Sequence, residues 1–170
     1  MSLLTHAPPG EKLRIQRLMA SVHGHALRLL DGWIGIEPGT ATPGEAGDSD
    51  PLSLASTLVS TFPIEGSVEG MITLRGAESA VRAIMHKLIG EPAAGEDQRV
   101  LLQETLVEVL NMMIGNATDS LRQQGLPITV FPPYASPVAH EKGLSEEPAY
   151  IRRIDTTAGP MVLIFSANGR

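Results

Sequence analysis

A carboxylate and a carboxamide three residues apart, Glu108 and Asn111, are the residues of this sequence best equipped for chemistry. They lie in a long segment with helical periodicity, so their side chains are expected side by side on one helix face. A carboxylate can pair with a lysine, and a carboxamide offers both a donor and an acceptor with which to orient a water molecule. The pair could therefore position a water nucleophile on a phosphoryl group.

The helical segment that holds this pair spans residues 98–124 and has two contrasting faces. Its apolar face consists of Leu102, Leu106, Val109, Leu110, Met113, Ile114, Ala117 and Leu121. The opposite face, here called the polar stripe, lies within about 40° of a common line and consists of Glu104, Glu108, Asn111, Gly115, Thr118 and Arg122. Asn and Gly within a helix cost about 0.7 and 1 kcal/mol relative to Ala. Because no core packing requires Asn111, and because Gly115 leaves room for another backbone, the stripe is interpreted as a docking face around the pair.

A structural explanation of the stripe stays open beside the functional one. The spacing Glu-x-x-Asn arises by chance in roughly one ordinary chain in three. Polar stripes on helices are usually solvated surfaces, and Gly in a helix can serve close packing between helices.

The elements around this helix predict an α+β domain in which an antiparallel sheet packs against two long helices and one shorter helix. Residues 1–10 are expected to form a flexible N-terminal arm, and residues 11–170 a single domain with a flexible inserted loop at 37–51. The predicted helices are a first helix from Glu11 to Gly32 or Gly35, a short one from Ala77 to Gly90, and the segment 98–124. The predicted strands are 54–64 and 68–74, which form a hairpin, then 128–131, 149–156 and 161–166. Residues 132–148 are predicted to be a loop.

Composition excludes several classes of function. The chain has 170 residues, a net charge of −6 and no Cys, so disulfides and thiolate chemistry are excluded, and the sequence shows no basic stripe for nucleic acid. No apolar run is long enough to span a bilayer, and the N-terminus lacks the pattern of a secretory signal. A cytoplasmic protein is therefore expected. His23 and His25, two positions apart, would lie on different helix faces, and no cluster of metal ligands is evident.

The segment from Glu104 to Ala117 resembles the signature helix of the CheX-type chemotaxis phosphatases, within the CheC/CheX/FliY family. The signature has an acidic residue, then Glu, then Asn three positions later, then Gly and a small residue. Gly66–Leu74 is similar to the hairpin of this family and Ala77–Gly90 to its next helix, and the C-terminal strands ending in Gly159–Phe165 also fit the family. The similarity covers roughly residues 54–168.

This resemblance implies a CheC/CheX-like fold and a phosphatase that acts on the aspartyl phosphate of a CheY-like response regulator. Glu108 would pair with a lysine of the regulator, and Asn111 would orient the attacking water. Mg²⁺ would belong to the regulator, so this chain would bind no cofactor of its own. The first helix lacks a second Glu-x-x-Asn motif, so one site per chain is expected, in a homodimer joined through sheet edges.

Two alternatives to catalysis stay open. A CheX-like module could bind a response regulator, or a chemosensory or flagellar partner, without hydrolysing anything. A CheC-like adaptor that works with a deamidase is less favoured, because the chain has a single motif.

Overall fold

The computed structural model describes residues 9–35, 57–135 and 150–167, and three helices lie in these ranges. Two are long, α1 (Pro9–Ile34) and α3 (Gln98–Gln123), and the third, α2 (Glu78–Ile89), is shorter. Their apolar residues recur every three or four positions, so each helix has a face to bury. The arrangement confirms the prediction of two long helices and one short helix.

Local capping groups account for where the helices begin and end. The Asp97 carboxylate accepts hydrogen bonds from the main-chain N–H groups of Arg99 at 3.0 Å and Val100 at 3.4 Å, which satisfies donors at the start of α3 that have no partner within the helix. Gly35 and Gly90 follow α1 and α2 with φ of 79° and 77°. A side chain would disfavour this left-handed backbone, so these glycines end their helices.

The strands form one antiparallel sheet whose order is not the order of the chain. The six strands described are β1 (Thr57–Gly66), β2 (Gly70–Ala77), β3 (Ile128–Val130), β4 (Tyr134–Ala135), β5 (Tyr150–Thr156) and β6 (Gly159–Ala167). Their order is β3-β1-β2-β6-β5, and the short β4 also pairs with β1. The hairpin predicted from the sequence is β1 and β2, with Phe62 opposite Ile72 in the register.

The hydrophobic core lies between the helices and one face of this sheet. Its largest fully buried side chains include Phe62, Phe165, Leu18, Met85 and Leu106. Helix α3 packs against both α1 and β1, so its apolar face is enclosed. Its opposite face is left for solvent or for a partner.

The predictions and the structure differ at a few boundaries. Helix α1 begins at Pro9 rather than Glu11, because Pro is well suited to the first position of a helix, and it runs through Gly24 without a break. Strand β4 lies within the predicted loop 132–148, where pairing with β1 outweighs a weak local strand signal. Residues 1–8 of the arm, the loop 37–51 and residues 136–148 lie outside the described residues.

Candidate functional site

Helix α3 exposes the polar stripe and buries the opposite face. All eight residues assigned to the apolar face are buried, and Thr105 is buried with them. Glu104, Glu108, Asn111, Gly115 and Arg122 are exposed, whereas Thr118 is half-buried. The amphipathic division predicted for this segment is therefore confirmed, and the stripe lies on the surface as one line along the helix.

Glu108 and Asn111 are exposed, and their polar groups are not occupied by other described residues. Within the described ranges, no side-chain hydrogen bond or ion pair involves either residue, whereas Thr105, on the same helix, donates its hydroxyl to the Leu101 carbonyl at 2.7 Å. Three positions apart on an α-helix, the two side chains extend over the same patch of surface. The carboxylate and the carboxamide can therefore both reach a molecule that docks on the stripe.

Gly115, one turn after Asn111, leaves an open place on the same surface. A Cβ built at this position would have no heavy atom within 4 Å outside its own helix turns and chain neighbours. No close packing against another described part of the chain therefore requires a glycine at this position. Such packing was the structural explanation left open by the sequence. Its backbone is instead accessible from outside, where a side chain would stand between the helix and a docked molecule.

The remaining residues of the stripe differ in whether their charges and hydrogen-bonding groups already have partners in the described part of the chain. Glu104 is exposed. The Thr118 hydroxyl donates to the Ile114 carbonyl at 2.8 Å, so its donor is used within the helix. Arg122 forms an exposed ion pair with Asp119, with Nη1 and Oδ1 3.3 Å apart. Such exposed pairs are weak, so the guanidinium of Arg122 can exchange this partner for another.

Hydrogen bonds to distant segments of the chain connect α3 to β1, and the residue just after α3 to α1. The Gln103 side chain donates to the Val59 carbonyl of β1 at 2.7 Å. Arg17 of α1 donates to the main-chain carbonyl of Gln124 at 3.1 Å, just beyond the end of α3. Glu108 and Asn111 lie between these two anchors. Neither Gln103 nor Arg17 could be identified as an anchor from the sequence, because a polar residue beside an apolar face is common and carries no specific signal.

The two histidines of α1, His23 and His25, have different surroundings. His23 is buried and its pKa is lowered, first by burial and then by the charge of Arg152, although the Arg153 backbone acts in the opposite direction. The pKa of His25 is also lowered, by burial and by Arg28. Among the described residues, no cluster of three His, Asp or Glu side chains could hold a metal ion. None of the helices in the described ranges is long and apolar enough to cross a membrane.

A family of known proteins matches the part of the chain that contains α3. A family model described as chemotaxis phosphatase CheX matches residues 58–148, more than half of the chain, and the match includes all of α3. No curated protein sequence matches the chain significantly.

Several solved structures have a similar fold. A CheX chemotaxis protein from Vibrio vulnificus is 16% identical, with a TM-score of 0.62 over 88% of this chain and 95% of that chain. A CheC-like superfamily protein from Shewanella sp. PV-4 is 18% identical, with a TM-score of 0.64 over 90% and 98%. The CheX of a CheX–CheY–BeF₃–Mg²⁺ complex from Borrelia burgdorferi is 18% identical, with a TM-score of 0.61 over 89% and 96%. At these identities the comparison shows a shared fold.

Proposed function

The chain belongs to the CheX family of chemotaxis phosphatases, and we propose that it accelerates hydrolysis of the aspartyl phosphate of a CheY-like response regulator. The observation that carries this proposal is the Glu108 and Asn111 pair on α3, exposed and without partners in the described part of the chain. The structure of a related CheX in complex with CheY supports the class of partner. With such a substrate, the reaction would take place in the cytoplasm.

In the proposed mechanism this chain supplies positioning rather than a covalent intermediate. The regulator docks on the polar stripe, and the Glu108 carboxylate forms an ion pair with a lysine of the regulator. The Asn111 carboxamide then holds a water molecule in line with the phosphorus–oxygen bond to the aspartate. Water oxygen bonds to phosphorus, the aspartyl carboxylate leaves with the electron pair of the broken bond, and a proton of the water passes to solvent. Mg²⁺ is assigned to the regulator, where it would offset charge on the phosphoryl oxygens.

The other stripe residues are assigned to docking. Glu104 and Arg122 are exposed charges on either side of the pair, and such rim charges affect mainly the rate of association. Gly115 allows the regulator to approach the helix backbone. Thr118 retains an acceptor lone pair after its donation to Ile114.

The test is the decay of a phosphorylated CheY-like regulator of the same organism, measured with wild type, Asn111→Ala and Glu108→Ala. We expect wild type to accelerate the decay and Asn111→Ala to lose about 100-fold in rate, the order expected for a misplaced reactant. Asn116→Ala is the matched control, because Asn116 is also an exposed asparagine of α3 but lies off the stripe. Its activity should equal that of wild type.

Binding of the regulator, measured in parallel, separates catalysis from scaffolding. Loss of turnover in Asn111→Ala with binding intact supports a catalytic role for the carboxamide. Binding without any acceleration by wild type would instead make the chain a non-catalytic module. An equal loss of turnover in Asn111→Ala and Asn116→Ala would contradict the assignment of the site.

A homodimer joined through sheet edges forms part of the proposal. Strand β5 lies at one end of the strand order and has β6 as its only neighbour among the described strands. An edge strand of this kind can pair with a strand of another chain. Sedimentation analysis should give twice the chain mass of 18.1 kDa, and a monomer at all concentrations would contradict this arrangement.

A further inference from the structure

A second surface feature, separate from the polar stripe, lies between the outer side of α1 and the C-terminal end of α3. This α1–α3 groove has a volume of about 330 Å³ and is lined by Arg17, Ser21, His25 and Arg28 of α1, by Ser120 of α3 and by Gln124 just beyond the end of α3. Small residues, Ala20 and Gly24, complete its lining. The volume is at the lower end of the range for sites that bind small molecules.

The groove is basic in a protein that is acidic overall. The chain has a net charge of −6, yet the described residues that line the groove include two arginines, one histidine and no carboxylate. Asp119, next to Ser120 in the chain, pairs instead with Arg122. A concentration of positive charge in a concave site attracts anions.

Within the described part of the chain, neither guanidinium group of the groove is neutralised by an acid. Arg17 donates to the main-chain carbonyl of Gln124 at 3.1 Å and to its side-chain oxygen at 3.3 Å. Arg28 Nη2 lies 3.0 Å from His25 Nδ1. These partners are a neutral amide and an imidazole, and a guanidinium carries five N–H donors. Each arginine therefore keeps its full charge and several donors for a ligand.

Gly24, which lines the groove, leaves space beside one of these charges. A Cβ added at Gly24 would have Arg28 Nη1 as its nearest neighbour, at 4.0 Å. Because Gly24 has no side chain, the helix backbone is accessible beside the Arg28 guanidinium. Ser21, on the same side of the helix, adds a hydroxyl that can donate to an oxyanion.

We propose that the α1–α3 groove binds a small phosphate-bearing molecule, whose oxygens accept hydrogen bonds from Arg17 and Arg28. Arginine matches phosphate because its planar donors bind two oxygens at once. The two arginines are eleven positions apart, so their Cα atoms are about 16 Å apart along the axis, and both line the groove. Two linked phosphates therefore suit it better than one. This inference is independent of the phosphatase activity, because none of these residues belongs to the polar stripe.

His25 provides a spectroscopic signature of the bound anion. Its pKa is lowered by burial and by the positive charge of Arg28. The other charged residue that lines the groove is Arg17, whereas Ser120 of α3 and Gln124 just beyond its end are neutral. An anion beside Arg28 would offset the positive charge, so the pKa of His25 should rise when the ligand binds.

Calorimetric titration of the full chain with pyrophosphate, at constant ionic strength, tests the proposal. Wild type should bind, and Arg28→Gln should weaken binding about tenfold or more, the loss expected for a charged hydrogen-bond donor. Arg99→Gln is the matched control, because Arg99 is an exposed arginine of α3 that does not line the groove. Its affinity should equal that of wild type.

Two further measurements distinguish the site and the ligand class. An NMR titration should show a higher pKa for His25 in saturating pyrophosphate than in its absence. Citrate, a carboxylate with similar charge, should bind more weakly than pyrophosphate. The proposal is overturned if pyrophosphate does not bind, if Arg99→Gln weakens binding as much as Arg28→Gln, if the His25 signal does not respond, or if citrate binds more tightly.

Discussion

Replacing Gly115 with Ala should make the protein more stable and a poorer phosphatase. Gly115 lies in the interior of α3, on its exposed face, and a Cβ added there meets no other atom within 4 Å. Its φ is not positive, so an alanine can adopt the same backbone. The methyl group therefore introduces neither a clash nor strain in the isolated protein.

The size of the gain in stability follows from helix propensity. Alanine within a helix is favoured over glycine by about 1 kcal/mol, mainly because glycine loses more conformational freedom on folding. For a domain of 170 residues, a gain of this size raises the melting temperature by about 2–4 °C. The same methyl group lies one turn from Asn111, on the surface where the regulator is proposed to dock. A displacement of about 1 Å in the docked complex would reduce the rate about 100-fold.

Thermal unfolding gives the change in melting temperature, and decay of the phosphorylated regulator gives the change in phosphatase rate. Both are measured on the same preparations. Gly32→Ala is the control, since Gly32 is an exposed helical glycine of α1 at which an added Cβ would also meet nothing within 4 Å. It should gain a little stability, less than Gly115→Ala because it lies in the last turn, and retain full activity. A stabilised Gly115→Ala with undiminished turnover would refute the idea that the glycine admits a partner. A destabilised Gly115→Ala would refute the description of this position as open.

Two other predictions concern stability. Gly66→Ala should reduce the free energy of unfolding by about 1–3 kcal/mol, because Gly66 has a φ of 118° and an added Cβ would lie 2.7 Å from the Pro127 carbonyl oxygen. Denaturant unfolding measures the loss, and an unchanged midpoint would contradict the prediction. The pKa of buried His23 is lowered in the folded protein, so the unfolded chain binds a proton at this residue more readily than the folded chain does. The free energy of unfolding should therefore fall as the pH drops below the ordinary histidine pKa of 6.5, and His23 should have no effect on it at higher pH. The same unfolding measurement on His23→Gln should show a smaller decline over this range, and an identical decline would assign the effect to other groups.

The periodicity of the sequence was sufficient to predict α3 and its two faces. Residues three or four positions apart share a face of a helix whatever the rest of the chain does. The apolar positions from Leu102 to Leu121 are buried, and the stripe with Glu108 and Asn111 is at the surface. The hairpin of β1 and β2 was predictable for the same reason, because its pairing is set by a turn between neighbouring segments.

Features that depend on distant segments of the chain were decided only by the tertiary structure. No periodic pattern in the sequence indicates the strand order β3-β1-β2-β6-β5 or the pairing of β4 with β1. The same holds for the hydrogen bond from Gln103 to Val59, which joins residues 44 positions apart. Arg17 and Gln124 are 107 positions apart, and they meet only because α1 and α3 bury their apolar faces against each other. The sequence by itself determined which side chains point outward from each helix. Packing of the helices on the sheet decided which of these outward side chains became neighbours, because burial of apolar surface sets the arrangement of whole elements rather than of single residues.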